Sequence, residues 1–118
     1  MSKDYRLYFD DVRQSIAKIR RYTAGLDFDR FTASELVVDA VVRNLMVIGE
    51  AVKRIPREKL ASRPDMPWKE IAGMRDVVIH AYDNVDLPTV WNVIQLELAA
   101  LDECIEQWLN EADAAASE

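Results

Sequence analysis

An all-α antiparallel bundle is the fold class that the sequence predicts, and three observations point to it. Apolar residues recur at spacings of three and four through long stretches, the signature of helices buried along one face. Glycine is scarce, with three in 118 residues, so the turn chemistry of a β-rich chain is sparse. Prolines and cap-forming residues fall between the periodic stretches, where helices start and stop.

The first stretch places Tyr5, Tyr8, Phe9, Val12, Ile16, Ile19 and Tyr22 on one stripe, and Gly25 can end that helix. Thr32-Ala33-Ser34-Glu35 reads as a capping box opening a second helix. Its apolar face is Leu36, Val37, Ala40, Val41, Leu45, Ile48, Val52 and Ile55, and Pro56 stops it. A loop runs from Pro56 to about Pro67 and carries Arg57, Lys59 and Arg63. Asp65 and Pro67 suit the start of a third helix through Trp68, Ile71, Met74, Val77 and Val78, before a turn-like Tyr82-Asp83-Asn84. Asp86 and Pro88 introduce a last helix with Val90, Trp91, Ile94, Leu98, Leu101, Ile105 and Trp108 on its apolar side. Short connections between such helices favour an up-and-down arrangement. Gly49 and Gly73 fall inside expected helices, where each costs roughly 1 kcal/mol relative to Ala, and close approach of helix backbones is the plain account.

The length suits one domain, expected over residues 1–112, with a frayed tail over 113–118. No apolar run is long enough to span a bilayer, and the charged N-terminus has no apolar signal segment behind it. The single cysteine, Cys104, excludes an intrachain disulfide and fits a reducing compartment, so the expected location is the cytoplasm, with no membrane partner. One His, one Cys and scattered carboxylates give no metal-ligand spacing, and the isolated glycines give no phosphate loop, so no metal or cofactor is expected.

The net charge of −6 conceals an asymmetry. All 15 Lys and Arg lie at or before Arg75, with 11 of the 21 acidic residues; the chain from Asp76 onward holds ten acids and no Lys or Arg. A uniformly acidic chain is a poor nucleic-acid binder, whereas a polarised one can present a basic surface. The plainer reading is an acidic solvated face on the last helix.

Chemistry concentrates in Arg75-Asp76-Val77-Val78-Ile79-His80-Ala81-Tyr82, which holds the only histidine. Arg75 offers a permanent charge that suits a phosphate, His80 a proton donor and acceptor near neutral pH, and Tyr82 a hydroxyl. On a helix Asp76 and His80, four apart, share a face, so Asp76 can accept a hydrogen bond that fixes the imidazole tautomer. That arrangement serves a general base and equally a structural histidine. Tyr82 reads as a packed aromatic, a base-stacking or phosphate-binding group, or an acceptor for covalent modification. RNA cleavage needs no external nucleophile, because the 2′-hydroxyl can attack the adjacent phosphorus. One chain has one His, so an acid and a base both made from His80 require a two-fold dimer; the chemistry itself predicts a homodimer.

Arg43-Asn44-Leu45, Ile48-Gly49-Glu50-Ala51, Pro67-Trp68-Lys69-Glu70-Ile71-Ala72-Gly73-Met74-Arg75-Asp76 and His80-Ala81-Tyr82 closely resemble the HepT-like proteins of the HEPN superfamily. The likeness runs from the first helix to Trp108. It implies a homodimeric four-to-five-helix bundle of HEPN type, with a metal-independent ribonuclease site where two Arg-x4-His motifs meet. It implies a toxin role in a toxin–antitoxin pair, silenced by a cognate nucleotidyltransferase antitoxin of the MntA type that adds AMP to the motif tyrosine. Carried over by position, Arg75 and His80 are catalytic, Asp76 supports them and Tyr82 is modified. Asn44 and Glu50 match a signature that lines the cleft or holds the dimer. Arg54, Arg57, Lys59 and Arg63 are the expected contacts to the RNA backbone. The family also contains members that do not cut RNA, so the alternative is a non-catalytic module binding a nucleotide or a nucleotidyltransferase.

Overall fold

The computed structural model of the chain describes residues 5–73 and 86–117, and every regular element among them is helical. These are α1 (Arg6–Thr23), α2 (Phe28–Ala33), α3 (Glu35–Lys53), α4 (Arg57–Ala61), the described start of α5 (68–73), α6 (Leu87–Leu96) and α7 (Leu98–Ser117). α1 packs along α3 and also against α7, while α2 bridges α3 and α6. No described helix is long and apolar enough to cross a membrane.

α1 forms as its periodicity requires. Phe9, Val12, Ile16 and Ile19 are buried on one stripe, with Tyr5 and Tyr8 packed at its edge. Thr23 closes the last turn by donating to the Ile19 carbonyl at 2.8 Å, and Gly25 takes φ +76°, a backbone conformation that disfavours other residues. The capping of α3 differs from the expected box. Ser34 is the N-cap and its hydroxyl accepts from the Val37 amide, while Thr32 donates back to the Asp29 carbonyl as α2 ends. Two residues separate the roles because α2, capped by Asp27, occupies the segment read as a connection.

The core of α3 is Val41, Leu45, Ile48, Ala51 and Val52, facing α1; Leu36, expected on that face, is instead exposed. The last expected helix is two. Asp86 caps α6, accepting from the Thr89 amide and hydroxyl, and the chain breaks at Glu97 before α7 resumes. Phe31 and Trp91 meet at 5.0 Å between ring centroids, joining α2 to α6, and Phe9 meets Trp108 at 5.5 Å, joining α1 to α7. Leu98, Leu101, Cys104, Ile105 and Trp108 form the buried face of α7.

α7 remains helical through Ser117, over residues where the sequence suggests a frayed tail. Asp113 in that stretch pairs with Arg6 at 2.7 Å. The charge asymmetry has a structural use here: acids of α7 meet bases of α1 and α4. Asp102 pairs with Arg13 and Arg20, and Glu111 with Lys59. Each such exposed pair contributes little, roughly 0–1 kcal/mol, beside the buried face of α7. Among the described residues a Cβ at Gly73 would meet nothing within 4 Å, so no described helix approaches its backbone closely.

Candidate functional site

Arg75, Asp76, His80 and Tyr82 lie outside the described residues, so the structure describes the frame on either side of the motif. On the N-terminal side the frame is Trp68. Its ring stacks on Trp108, and its indole N–H donates to the carbonyls of Leu60 at 2.9 Å and Arg63 at 3.0 Å. This ties the start of α5 to the α4 loop and to α7. On the C-terminal side the frame is the Asp86 cap of α6, whose carboxyl is held below the usual range by the Thr89 hydroxyl and amide.

Between α1 and α3 lies an open groove of about 310 Å³, lined by Tyr8, Asp11, Arg43, Met46, Val47, Glu50, Ala51 and Arg54. Arg54 sits over the Tyr8 ring, 6.0 Å from its centroid. Of the signature pair, Glu50 opens on this groove, whereas Asn44 is buried and donates its amide to the Ala40 carbonyl at 2.8 Å. The two residues therefore occupy different faces of α3. Arg43 and Tyr8 were not among the site residues expected from sequence. The signal for Arg43 is its helical spacing, seven before Glu50 and eleven before Arg54, which puts all three on one line.

The basic residues near the loop divide into two sets. Lys59 pairs with Glu111 at 3.5 Å and lies 5.4 Å from the Trp108 ring centroid. Arg63 holds Asp65 with two nitrogens, at 2.9 and 3.0 Å, and donates to Gln107 at 2.9 Å. The Asp65 hydrogen bond raises the Arg63 pKa and lowers that of Asp65. Arg54 and Arg57 are exposed. Among the described residues no group of three or more His, Cys, Asp or Glu side chains could hold a metal ion.

The described fold belongs with the all-helical class. The family model described as "Ribonuclease HepT-like" matches residues 12–108, and the chain belongs to this HepT-like family of the HEPN superfamily. A Methanocaldococcus jannaschii protein named "Gamma-glutamylcyclotransferase and putative RNase" is 38% identical over 113 residues, which is 96% of this chain and 51% of that longer protein. A "Putative RNase" of the same organism is 34% identical over 94% of this chain and 96% of its own length. A "Probable ribonuclease HepT" of Thermococcus cleftensis is 35% identical over 86% of this chain and 92% of its own length. No solved structure matches the chain.

Proposed function

We propose that this chain is a metal-independent endoribonuclease, acting as a homodimeric toxin. The observation that carries the reading is Arg75-x4-His80-x-Tyr82 within a chain of the HepT-like family. Relatives named as RNases support the substrate class.

In the proposed reaction one His80 removes the 2′-hydroxyl proton, and the oxygen attacks the adjacent phosphorus. The P–O5′ bond breaks as the second His80 protonates the leaving 5′-oxygen. Arg75 stabilises the negative charge gathering on the phosphoryl oxygens through its guanidinium fork. The products are a 2′,3′-cyclic phosphate and a 5′-hydroxyl, with every proton accounted for. Asp76 supports His80 by fixing its tautomer. Arg54, Arg57, Lys59 and Arg63 are proposed contacts to the RNA backbone.

Regulation is proposed at Tyr82. A cognate nucleotidyltransferase antitoxin of the MntA type transfers AMP from ATP to the Tyr82 hydroxyl, releasing pyrophosphate. The added charge and bulk, two residues from His80, repel and occlude an anionic substrate.

The decisive experiment is RNA cleavage in EDTA by purified, unmodified protein, comparing wild type with His80→Ala and checking that both are folded and dimeric. Cleavage by wild type alone, leaving 2′,3′-cyclic ends, supports the reading. No cleavage by a folded wild-type dimer across several RNA pools overturns it in favour of a non-catalytic binding module. For the modification, intact mass after incubation with the antitoxin and ATP should show AMP additions on wild type and none on Tyr82→Phe.

A further inference from the structure

The outward face of α3 takes no part in the core. Leu36, at its start, is 81% exposed. At 100° per residue Leu36, Ala40, Arg43, Val47, Glu50 and Arg54 fall within an arc of roughly 80°, with Asp39 and Met46 along one flank. Asp39, Arg43 and Arg54 are exposed, and Ala40, Met46, Val47 and Glu50 are half-buried. α1 borders this face through Tyr8 and Asp11 but leaves it open as the groove described above.

The charges along the stripe follow an order: Asp39, Arg43, Glu50, Arg54 alternate in sign. That order is antisymmetric about the point midway between Met46 and Val47. Arg43 and Glu50 stand equally far from it on opposite sides, and so do Asp39 and Arg54; each pair is of opposite sign. A two-fold axis through that midpoint lays one α3 antiparallel on another. Arg43 then faces Glu50 of the partner subunit, and Asp39 faces Arg54 of the partner subunit. Symmetry makes each pair twice, around a centre of Met46 and Val47. A parallel alignment in register would set Arg43 against its own copy, like charge on like charge. At a helix separation of 8–10 Å, Arg and Glu side chains span the gap.

We propose that this face of α3 is the docking surface for a second copy of this chain, its antiparallel register fixed by the Arg43–Glu50 and Asp39–Arg54 pairs. The proposal rests on the dimer of the preceding section and specifies where that dimer forms. RNA is the poorer occupant: Asp11, Asp39 and Glu50 stand in or beside the groove and repel phosphates, whereas a second copy sets Arg54 opposite Asp39 and Arg43 opposite Glu50. Glu50 thereby acquires a role as a register key, Arg54 passes from the RNA contacts proposed above to the dimer, and Asn44, on a different face, keeps its local bond to Ala40.

The experiment is sedimentation of the full chain as wild type, Arg43→Glu, Glu50→Arg and the double swap, with helicity checked for each by circular dichroism. Wild type should be dimeric, and each single swap should raise the dimer dissociation constant by at least about 100-fold, because every substitution creates two like-charge contacts. The double swap should restore dimerisation by re-pairing opposite charges. If a single swap does not fold, Asp39→Arg, Arg54→Asp and their combination repeat the test at exposed positions. A wild-type dimer undisturbed by any single swap overturns this surface while leaving the dimer itself standing. A wild-type monomer overturns both. Weakened RNA binding by an intact Arg43→Glu dimer would assign the face to RNA instead.

Discussion

The rings of Trp68 and Trp108 lie nearly parallel, 18° apart with centroids at 5.5 Å, so the start of α5 is stacked on α7. The indole N–H is shared between the Leu60 and Arg63 carbonyls, the last turn of α4 and the loop beyond it. One side chain thus joins three segments directly ahead of the motif arginine. Trp68→Ala should destabilise the fold by about 2–4 kcal/mol, somewhat below the range for a fully buried aromatic because Trp68 is half-buried. Trp68→Phe retains an aromatic stack but leaves both carbonyls without their donor, a loss of about 1 kcal/mol. Urea unfolding midpoints of the two variants measure the difference. Equal losses would mean that the hydrogen bonds, and not the stack, hold this junction.

Glu97 interrupts the α6–α7 segment, and its half-buried carboxyl has no hydrogen-bond partner for Oε2 among the described residues. Burial raises its pKa, and the nearby Glu70 charge raises it further. The folded state therefore holds this proton more tightly than the unfolded chain does. Its contribution to stability is fully present below the unfolded value, near 4.5, and is lost as pH rises through the folded value. Glu97→Gln should stabilise the protein at pH 7, with the advantage shrinking as pH falls toward 4.5. Thermal melts at a series of pH values test this. An advantage independent of pH would trace to something other than ionisation.

Most of the core was legible in the sequence because long amphipathic stretches announce their buried faces. Phe9, Val12, Ile16 and Ile19 in α1, and Val41, Leu45, Ile48 and Val52 in α3, sit where periodicity places them. Other features were hidden for physical reasons. α2 and α4 have six and five residues, too few to develop a periodic stripe. Ser34 and Thr32 both carry hydroxyls, and which one caps α3 depends on where α2 ends. The break at Glu97 is masked because apolar residues on both sides continue at helical spacing. The motif from Arg75 to Tyr82 was legible as a pattern of residue types. The α3 groove was not, because Tyr8 and Asp11 reach it from another helix.

Cys104 is fully buried, and that burial pushes its thiol pKa up to about 11. At pH 8 roughly one molecule in a thousand carries the thiolate, and the folded chain leaves the residue no exposed surface. A disulfide reagent such as Ellman's should therefore label the native protein at least about 100-fold more slowly than the urea-unfolded chain, at a rate set by opening of the bundle. Comparable rates would show that α7 detaches readily.

Lys59 and Arg63 are already neutralised inside the molecule, by Glu111 and by Asp65, whereas Arg57 is exposed on the first turn of α4. An RNA phosphate gains most from a cation that brings no competing carboxylate with it. If the α4 region contacts the RNA backbone, Arg57→Gln should flatten the logarithmic salt dependence of binding by about 0.7, the value for one contact to a single strand. Lys59→Gln and Arg63→Gln should change it less, because RNA must displace Glu111 and Asp65 to reach them. Removing the competitor reverses the logic: Glu111→Gln frees Lys59 and should steepen the salt dependence. Binding of a catalytically silenced His80→Ala background across a salt series measures all four slopes. Equal flattening by Arg57→Gln and Lys59→Gln, with no change for Glu111→Gln, would show that the α7 acids do not compete with RNA.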